Sequence, residues 1–362
     1  MKVLVVDDSV VFRSQIKSAL KDHKEFEEID VAANGKIAIS KMKQSDYTLT
    51  ILDLEMPEMN GIETLKAMKA EGLRSKVIVF SSLSARGANS TMEALDNGAC
   101  DFVTKPQDIN SFELALDHIR EQLIPKALQF TGHGSSIPVK VAVNAGLAQP
   151  EPLIRTEPKS KWKTYTVAHF IPKVCVIGCS TGGPVALKDL FALIKGPLKH
   201  PILITQHMPP VFTKTLAKSI EEQTGIPTKE AKHYEELKNQ IYVAPGDFHL
   251  SLKKSDDKIF TVLDKREKRN SVRPAVDHLF ESASEVFGAN TLGVILTGMG
   301  SDGADGSVAV KEKGGCILIQ DEKSSVVWGM PGAVHKLGSF DQMASIQECC
   351  KLVSKLIGRP SL

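Results

Sequence analysis

Short apolar runs alternate with amphipathic stretches along the first third of the chain. Five runs lie in residues 1–123: KVLVV, EEIDVAA, YTLTILD, KVIVFSS and ACDFVT. They are apolar throughout, which is typical of strands covered by helices on both sheet faces. Five strand–helix units predict a complete α/β domain with a doubly wound parallel sheet. The predicted helices lie near Ser9–Leu20, Lys36–Lys43, Gly61–Ala70, Ala88–Asn97 and Ile109–Leu123.

The same rhythm returns in residues 173–362 after an interruption. Residues 124–172 show no sustained periodicity and hold six of the 18 prolines, which predicts an interdomain linker. Beyond it, VCVIGC, HPILITQH, QIYVAP, KIFTVLD, LGVILTG and CILIQD predict strands of a Rossmann-like α/β domain. Its predicted helices are Val185–Lys195, Thr213–Gln223, Ala275–Phe287, Ala304–Lys313 and Ser345–Ile357.

Composition narrows the class of protein. Among 362 residues, 45 Lys and Arg balance 43 Asp and Glu, so the charge gives no reason to expect nucleic acid or an anionic membrane as partner. The longest apolar runs are strand-sized, far below the ~20 residues of a membrane helix, and we expect no membrane insertion. The N-terminus lacks a signal-peptide core, and the six cysteines form no C-x-x-C pair. We therefore expect a cytoplasmic protein with reduced thiols.

Polar residues follow the predicted strands of the first domain at one sheet edge. Asp7 and Asp8 end the first strand and Asp53 ends the third. Three converging carboxylates repel one another unless a cation neutralises them, and Mg²⁺ suits such an all-oxygen set. Ser81 ends the fourth strand and Lys105 the fifth. A hydroxyl and an ammonium around an acidic metal site suit a phosphoryl group on one carboxylate.

These residues give the first domain a family resemblance. VVDDS, LDLEMPEMNG, FSSLS and DFVTKP resemble the receiver domain of two-component response regulators over residues 1–123. The resemblance implies that Asp53 is the phosphoacceptor, that Ser81 contacts the phosphoryl group and that Lys105 pairs with it. It also implies a set of Mg²⁺ ligands in the receiver domain: Asp7, Asp8, Asp53 and the backbone carbonyl of Glu55.

The glycine-rich motif GCSTGG opens the second domain. It follows an apolar strand and precedes an amphipathic helix, so its glycines allow a sharp turn that exposes Ser180 at a helix N-terminus. Such a turn suits a nucleophile beside backbone N–H groups. A loop of this composition equally suits a phosphate cradle, and the loop alone does not distinguish the two.

Two further strand ends favour the nucleophile. His207 ends the strand ILITQH, and Asp302 lies in the turn GMGSDG after another strand. Together with Ser180 they supply a nucleophile, a general base and an orienting acid, which a phosphate binder does not need. Asp305 is the nearest competitor for the third role, although its place suits a helix cap. No His/Cys cluster has zinc-ligand spacing, so we expect no metal or other cofactor in this domain.

The whole chain then resembles one family. A receiver, a proline-rich linker and GCSTGG, QHMPP, YVAPGDFHL and LTGMGSDGADG are similar to the bacterial chemotaxis-response-regulator protein-glutamate methylesterases. The resemblance implies a serine hydrolase with Ser180 as nucleophile, His207 as base and Asp302 as its partner. It places the backbone of Met299 in the oxyanion site and Thr181 in the pocket. It implies demethylation of glutamate γ-methyl esters on chemotaxis receptors, with release of methanol, and deamidation of receptor glutamines.

The resemblance also implies regulation. The unphosphorylated receiver is expected to pack against the second domain and obstruct the Ser180 cleft, and a chemotaxis histidine kinase to relieve this by phosphorylating Asp53. An alternative is a phosphorylation-controlled docking protein with an inactive hydrolase domain, against which the intact residue set argues. A DNA-binding response regulator fits less well, because the second half has no basic recognition-helix pattern.

Overall fold

The computed structural model describes residues 1–106, 111–130, 162 and 164–358. The first domain contains a five-stranded parallel sheet in the order β2-β1-β3-β4-β5. Its strands are β1 (Lys2–Val6), β2 (Glu28–Ala32), β3 (Leu49–Asp53), β4 (Lys76–Ser81) and β5 (Asp101–Thr104). Its helices are α1 (Val10–Lys21), α2 (Gly35–Gln44), α3 (Gly61–Ala70), α4 (Ala85–Asp96) and α5 (Phe112–Gln129). The predicted doubly wound architecture is confirmed.

Each of these five helices begins after a short polar residue. The side chain of that residue accepts a hydrogen bond from a backbone N–H of the first turn, which would otherwise lack a partner. The five capping residues are Ser9, Asn34, Asn60, Ser84 and Ser111. Asn60 and Glu63 complete a reciprocal capping box at the start of α3. These local signals fix the register in which the helices cover the sheet.

Helix α5 differs from its prediction at its C-terminal end. It continues through Pro125 to Gln129 instead of ending near Leu123, and so enters the predicted linker. The reason is packing, because Ile124 and Ala127 prolong the buried stripe that begins at Ala115. The predicted start at Ile109 and most of the linker (131–161 and 163) lie outside the described residues.

The second domain is built on a larger sheet and a smaller one. A seven-stranded parallel sheet has the order β15-β14-β13-β6-β7-β10-β8, and a three-stranded antiparallel sheet has the order β11-β12-β9. The strands are β6 (Val174–Cys179), β7 (Ile202–Gln206), β8 (Thr228–Glu230), β9 (Glu235–Glu236), β10 (Ile241–Val243), β11 (His249–Ser255), β12 (Lys258–Asp264), β13 (Thr291–Ile295), β14 (Cys316–Gln320) and β15 (Gln342–Ala344). The helices are α6 (Gly183–Leu190), α7 (Phe212–Thr224), α8 (Val276–Phe287), α9 (Ala304–Glu312), α10 (Met330–Leu337) and α11 (Ile346–Ile357).

The direction of winding reverses at the centre of the large sheet. From β6 the chain proceeds outward through β7 and β10, whereas β13, on the other side of β6, leads to β14 and β15. Open α/β sheets bind ligands beyond the carboxyl ends of the strands at such a switch point. The carboxyl ends of β6, β7 and β13 therefore mark where a functional site is expected.

The second domain also contains elements that its sequence pattern did not predict. The run KIFTVLD forms β12 of the small antiparallel sheet, paired with β11, and the parallel sheet does not include it. Strands β8, β9, β11 and β15 and helix α10 were missed, and α6 ends at Leu190 rather than near Lys195. The missed elements are short or carry charged and half-exposed residues among their apolar ones, so no continuous apolar run marks them.

The first domain packs on two helices of the second. The rings of Phe102, on β5, and Phe212, at the start of α7, are stacked with centroids 4.6 Å apart and planes 10° apart. Lys188 of α6 forms an ion pair with Asp96 of α4, with 2.5 Å between Nζ and Oδ1. Helices α6 and α7 are the ones that follow β6 and β7, so the first domain contacts the two helices that come next in the chain after these two strand ends.

A buried ion pair joins α9 to the residue that directly precedes β15. Lys311 Nζ lies 2.6 Å from Asp341 Oδ1, and both side chains are fully buried. The carboxylate also accepts hydrogen bonds from the backbone N–H groups of Ile317 and Tyr165. Asp341→Ala is expected to destabilise the second domain by about 3–5 kcal/mol, because it leaves the ammonium in the core without its carboxylate. Urea unfolding measures this, and a loss below ~1 kcal/mol would contradict it.

Candidate active sites

The acidic residues of the first domain come together as predicted. Asp7 follows β1 and Asp53 ends β3, and both are almost fully buried, whereas Asp8 is exposed. One carboxylate oxygen from each of the three lies within 4.8 Å of the others. Burial, and then the charge of Asp7, raise the pKa of Asp53 to about 6. A carboxylate cluster of this kind favours binding of a cation.

Lys105 provides the positive charge at this cluster. Its Nζ lies 2.7 Å from Asp53 Oδ2 and 3.0 Å from Asp7 Oδ2. The ammonium also lies over the rings of Phe12 and Phe80, 4.7 and 5.6 Å from their centroids. The pKa of Lys105 is raised: burial lowers it, and the charges of Asp53 and Asp7 raise it by more. Lys105 is therefore held as a cation against the carboxyl group of Asp53.

Ser81 and Glu55 lie at the same edge of the sheet but make other contacts. The buried hydroxyl of Ser81 donates to the carbonyl of Gly87 in α4, at 3.2 Å. The backbone N–H of Glu55 donates to Asp53 Oδ1 at 3.3 Å, and the side chain of Glu55 pairs with Arg86. The Ser81 hydroxyl is thus directed to the helix that contacts the second domain.

The second site begins at the turn between β6 and α6. Ser180 is half-buried there, and its backbone N–H donates to the carbonyl of Thr297 at 3.0 Å. Gly182 has a φ of +75°, and a Cβ at that position would lie 2.6 Å from Val326, so the turn requires glycine. Gly298 is equally constrained, because a Cβ there would lie 2.9 Å from the Cβ of Ser180. Gly298 therefore lets the turn after β13 meet Ser180, and Gly182 lets the turn after β6 pass close to Val326.

His207 and Asp302 form a direct pair beside this turn. His207 follows β7, Asp302 follows β13, and Nε2 of the histidine lies 2.8 Å from Asp302 Oδ2. Asp302 is buried and also accepts hydrogen bonds from the backbone N–H groups of Val276 and Asp277. Burial by itself raises the pKa of Asp302, but these hydrogen bonds and His207 lower it to about 2. Asp302 is an anion throughout the physiological pH range.

The pairing of one imidazole nitrogen decides the role of the other. Because Asp302 is ionised and accepts only, His207 donates Nε2–H to it, and Nδ1 carries the free lone pair. Among the described residues no hydrogen bond joins Ser180 Oγ to this ring. Catalytic contacts are often longer before substrate binds, so the arrangement is compatible with a base at Nδ1.

Asp305, Met299 and Thr181 take different positions around the pair. Asp305 is exposed and pairs with Arg269, so the structure brings Asp302 and not Asp305 to His207. Met299 follows Gly298, which lies against Ser180. Thr181 is buried, and its carbonyl accepts from the hydroxyl of Thr297 at 3.0 Å. Met299 and Thr181 both adjoin the Ser180 turn.

Sequence reasoning missed two residues that hold this site. Gln206 donates Nε2–H to the carbonyls of Ser180 and His207, at 2.9 and 3.3 Å. Asn270 donates Nδ2–H to Asp302 Oδ1 at 3.1 Å. Gln206 carried a signal, because it is an amide at the end of an otherwise apolar strand. Asn270 lies in a polar loop before α8, where nothing in the pattern distinguishes it.

The fold and the two sites together define the class of protein. It has two α/β domains, of which the first carries a carboxylate–lysine site and the second carries serine, histidine and aspartate at the switch point of its sheet. Family models match both halves, a response regulator receiver domain over residues 3–117 and a CheB methylesterase over residues 175–353.

Relatives match the chain over its whole length. A protein-glutamate methylesterase/protein-glutamine glutaminase of Trichodesmium erythraeum is 39% identical over 99% of both chains. One of Nocardioides sp. is 38% identical over 100% of this chain and 97% of its own. The crystal structure of the Thermotoga maritima CheB methylesterase catalytic domain is 43% identical, with a TM-score of 0.48 over 51% of this chain and 98% of that one. The chain belongs to the family of protein-glutamate methylesterases/protein-glutamine glutaminases that carry a receiver domain.

Proposed function

We propose that this protein hydrolyses glutamate γ-methyl esters on chemotaxis receptors and also deamidates receptor glutamines, under control of its receiver domain. Membership of the family supports the reaction. The contact between His207 Nε2 and Asp302 Oδ2 beside the Ser180 turn is the observation that carries the mechanism, because an inactive docking domain has no need of it. None of the helices among residues 1–106, 111–130 and 164–358 is long and apolar enough to cross a bilayer.

The reaction proceeds in two acyl transfers. Ser180 Oγ attacks the side-chain carbonyl while Nδ1 of His207 accepts its proton. His207 then gives that proton to the methoxy oxygen, whose bond to the carbonyl carbon breaks. Methanol departs, and the glutamyl group remains as an ester on Ser180. A water molecule, deprotonated by the same nitrogen, hydrolyses this ester to glutamate and regenerates the serine. With a glutamine substrate ammonia departs in place of methanol, and every other step is the same.

Asp302 and the turn that contains Met299 stabilise the two charges that develop during the reaction, the imidazolium of His207 and the oxyanion of the substrate. The buried Asp302 anion stabilises the imidazolium of His207 during each transfer. The oxyanion needs N–H donors close to Ser180, and we assign the backbone of Met299 to this role because Gly298 already lies against that serine. Thr181, next to the nucleophile, lines the pocket that receives the glutamyl side chain.

The first domain supplies the control. We assign Asp53 as the phosphoacceptor, with Lys105 pairing with the phosphoryl group and Ser81 turning from Gly87 to contact it. Asp7, Asp8, Asp53 and the Glu55 carbonyl would hold Mg²⁺, which would supply charge neutralisation for the phosphoryl group. The cluster fits that ion, because two buried carboxylates share a single ammonium there. The phosphodonor is a chemotaxis histidine kinase.

Control reaches the second site through the domain contact. Helix α4 and β5 of the receiver lie against α6 and α7, which begin just after Ser180 and His207. Phosphorylation that moves Ser81 away from Gly87 withdraws a hydrogen bond from α4 itself. The receiver then leaves α6 and α7, and the Ser180 cleft opens to the receptor helix.

Weakening the contact from the receiver side is expected to raise basal activity. Phe102→Ala removes the stack on Phe212, which is worth roughly 1 kcal/mol beyond buried area, so methanol release from methylated receptor should rise about three- to ten-fold without a phosphodonor. Asp53→Asn should keep the low rate and lose its response to acetyl phosphate. Initial rates with and without that donor measure both effects.

A matched control is Phe112→Ala, which removes an exposed receiver aromatic at the start of α5. It is expected to leave the basal rate and the response to acetyl phosphate unchanged. A chain that starts at residue 131, after α5, should be at least as fast as Phe102→Ala. If that truncated chain is no faster than the unphosphorylated full-length protein, the receiver does not inhibit and the proposed control is wrong.

A further inference from the structure

A second buried carboxylate, that of Asp277, lies behind the Ser180 site and has no part in the mechanism above. Asp277 is in the first turn of α8 and is 1% exposed. Its Oδ1 accepts the backbone N–H groups of Gly303 and Gly306, at 2.9 and 2.7 Å. Its Oδ2 accepts Asn270 Nδ2 at 2.9 Å and lies 3.3 Å from Arg269 Nε.

These contacts surround the turn that carries Asp302. Gly303 follows Asp302 and caps α9, so Asp277 fixes the chain directly after the orienting acid. On the other side, the same Asn270 Nδ2 that bonds Asp277 also donates to Asp302 Oδ1, at 3.1 Å. Asp277 is therefore linked to Asp302 in two ways: through the backbone N–H of Gly303 and through the side-chain amide of Asn270.

The protonation state of Asp277 follows from its partners. Burial, and then the charge of Asp302, raise the pKa of Asp277. All four partners in the described part of the chain are donors, however, and donors stabilise the ionised carboxylate. Arg269 is the counter-ion of that form.

We propose that Asp277 is a positioning residue for this reaction: it fixes the turn and the amide that hold Asp302 against His207, and its charge adds to the field that favours the imidazolium. The inference rests on the triad proposed above. The charged groups facing Asp277 are Arg269 from the loop before α8, Asp302 from the turn, Asp305 from α9 and, through Arg269, Glu281. Only Asp302 among them contacts His207.

The test is Asp277→Asn in the full-length protein treated with acetyl phosphate, assayed by methanol release across pH. We expect kcat to fall about 10- to 100-fold with KM unchanged, because a displaced orienting acid impairs the chemical step and not binding. Loss of a nearby negative charge disfavours the imidazolium, so the acidic limb of the kcat/KM profile should move to lower pH. Glu281→Gln is the matched control, since it also removes a partner of Arg269 from α8 but bonds no part of the turn.

Each outcome decides the proposal. A lower kcat, an unchanged KM and an acidic limb of kcat/KM displaced to lower pH support the proposal. Three results overturn it: a rate within two-fold of wild type, an equal fall in Glu281→Gln, or a fall in kcat with the acidic limb unmoved.

If circular dichroism shows that Asp277→Asn does not fold, Asn270→Gly decides instead. Glycine suits the positive φ of residue 270, and the substitution removes the amide that bonds both Asp277 and Asp302. An unchanged kcat in this variant would overturn the proposal. A wild-type protein without esterase activity, or an active Ser180→Ala, would refute the proposed function and not this inference.

Discussion

Ser180→Ala is expected to lower methanol release from methylated receptor by at least ~10⁴-fold while the protein stays folded. The substitution removes the oxygen that forms the glutamyl ester, so neither acyl transfer has a nucleophile. Little packing is lost, because Ser180 is half-buried and its backbone hydrogen bonds to Thr297 and Gly183 do not involve the hydroxyl. The rate should be measured on the acetyl phosphate-treated protein, where the loss is easiest to quantify.

A suitable control is Ser301→Ala, which removes an exposed hydroxyl from the turn that carries Asp302. It is expected to retain near-wild-type activity. Glutamine deamidation should be lost together with demethylation in Ser180→Ala, because one nucleophile serves both reactions. Retention of either activity in that variant would show that Ser180 is not its nucleophile.

The second large effect is expected from Asp302→Asn, with a fall in kcat of about 10³- to 10⁴-fold. An amide in place of the carboxylate no longer fixes the Nε2–H form of His207, and it removes the anion that stabilises the imidazolium. The amide also brings an N–H group toward a position that already receives backbone donors from Val276 and Asp277. His207 therefore loses both its fixed orientation and the anion that stabilises its protonated form.

Asp305→Asn provides the comparison for this variant. Asp305 lies three positions further along the chain, is 70% exposed and pairs with Arg269 at the surface, so its loss should change kcat by less than about two-fold. Steady-state kinetics of the two variants side by side give the ratio. The reverse ranking would mean that the carboxylate acting on His207 is not the one that contacts it in this structure.

The sequence predicted where most of these residues lie in the fold, because they follow buried parallel strands. Asp7, Asp53, Ser180 and His207 each end or follow a largely apolar run, and strands of that kind are recognised from composition alone. What the sequence did not reveal was the strand order that makes β6 and β13 neighbours. That order depends on helices covering both faces of a completed sheet, which no local pattern encodes.

The residues that support the sites were harder to foresee. Asn270 and Asp277 lie in a charged loop and at a helix start, where polar residues are ordinary on any soluble protein. The significance of Asp277 depends on its burial, and that of Asn270 on its hydrogen bonds to Asp277 and Asp302. Both arise only when α8 packs beside the turn after β13. The end of α5 was misjudged for the opposite reason: Pro125 favoured a break, but the burial of Ile124 before it and Ala127 after it outweighs the cost of the missing hydrogen bond.

The stacked Phe102 and Phe212 rings and the Asp96–Lys188 pair have a consequence for the size of the response. If the receiver acts only by covering the site, the active fraction before phosphorylation equals the fraction of molecules in which the two domains are apart. The greatest possible stimulation is then the reciprocal of that fraction, and each tenfold of dynamic range requires about 1.4 kcal/mol of docking free energy. Contacts far from the chemistry would therefore set the sensitivity of the enzyme, so related chains could adjust their gain by changing interface residues while leaving Ser180, His207 and Asp302 untouched.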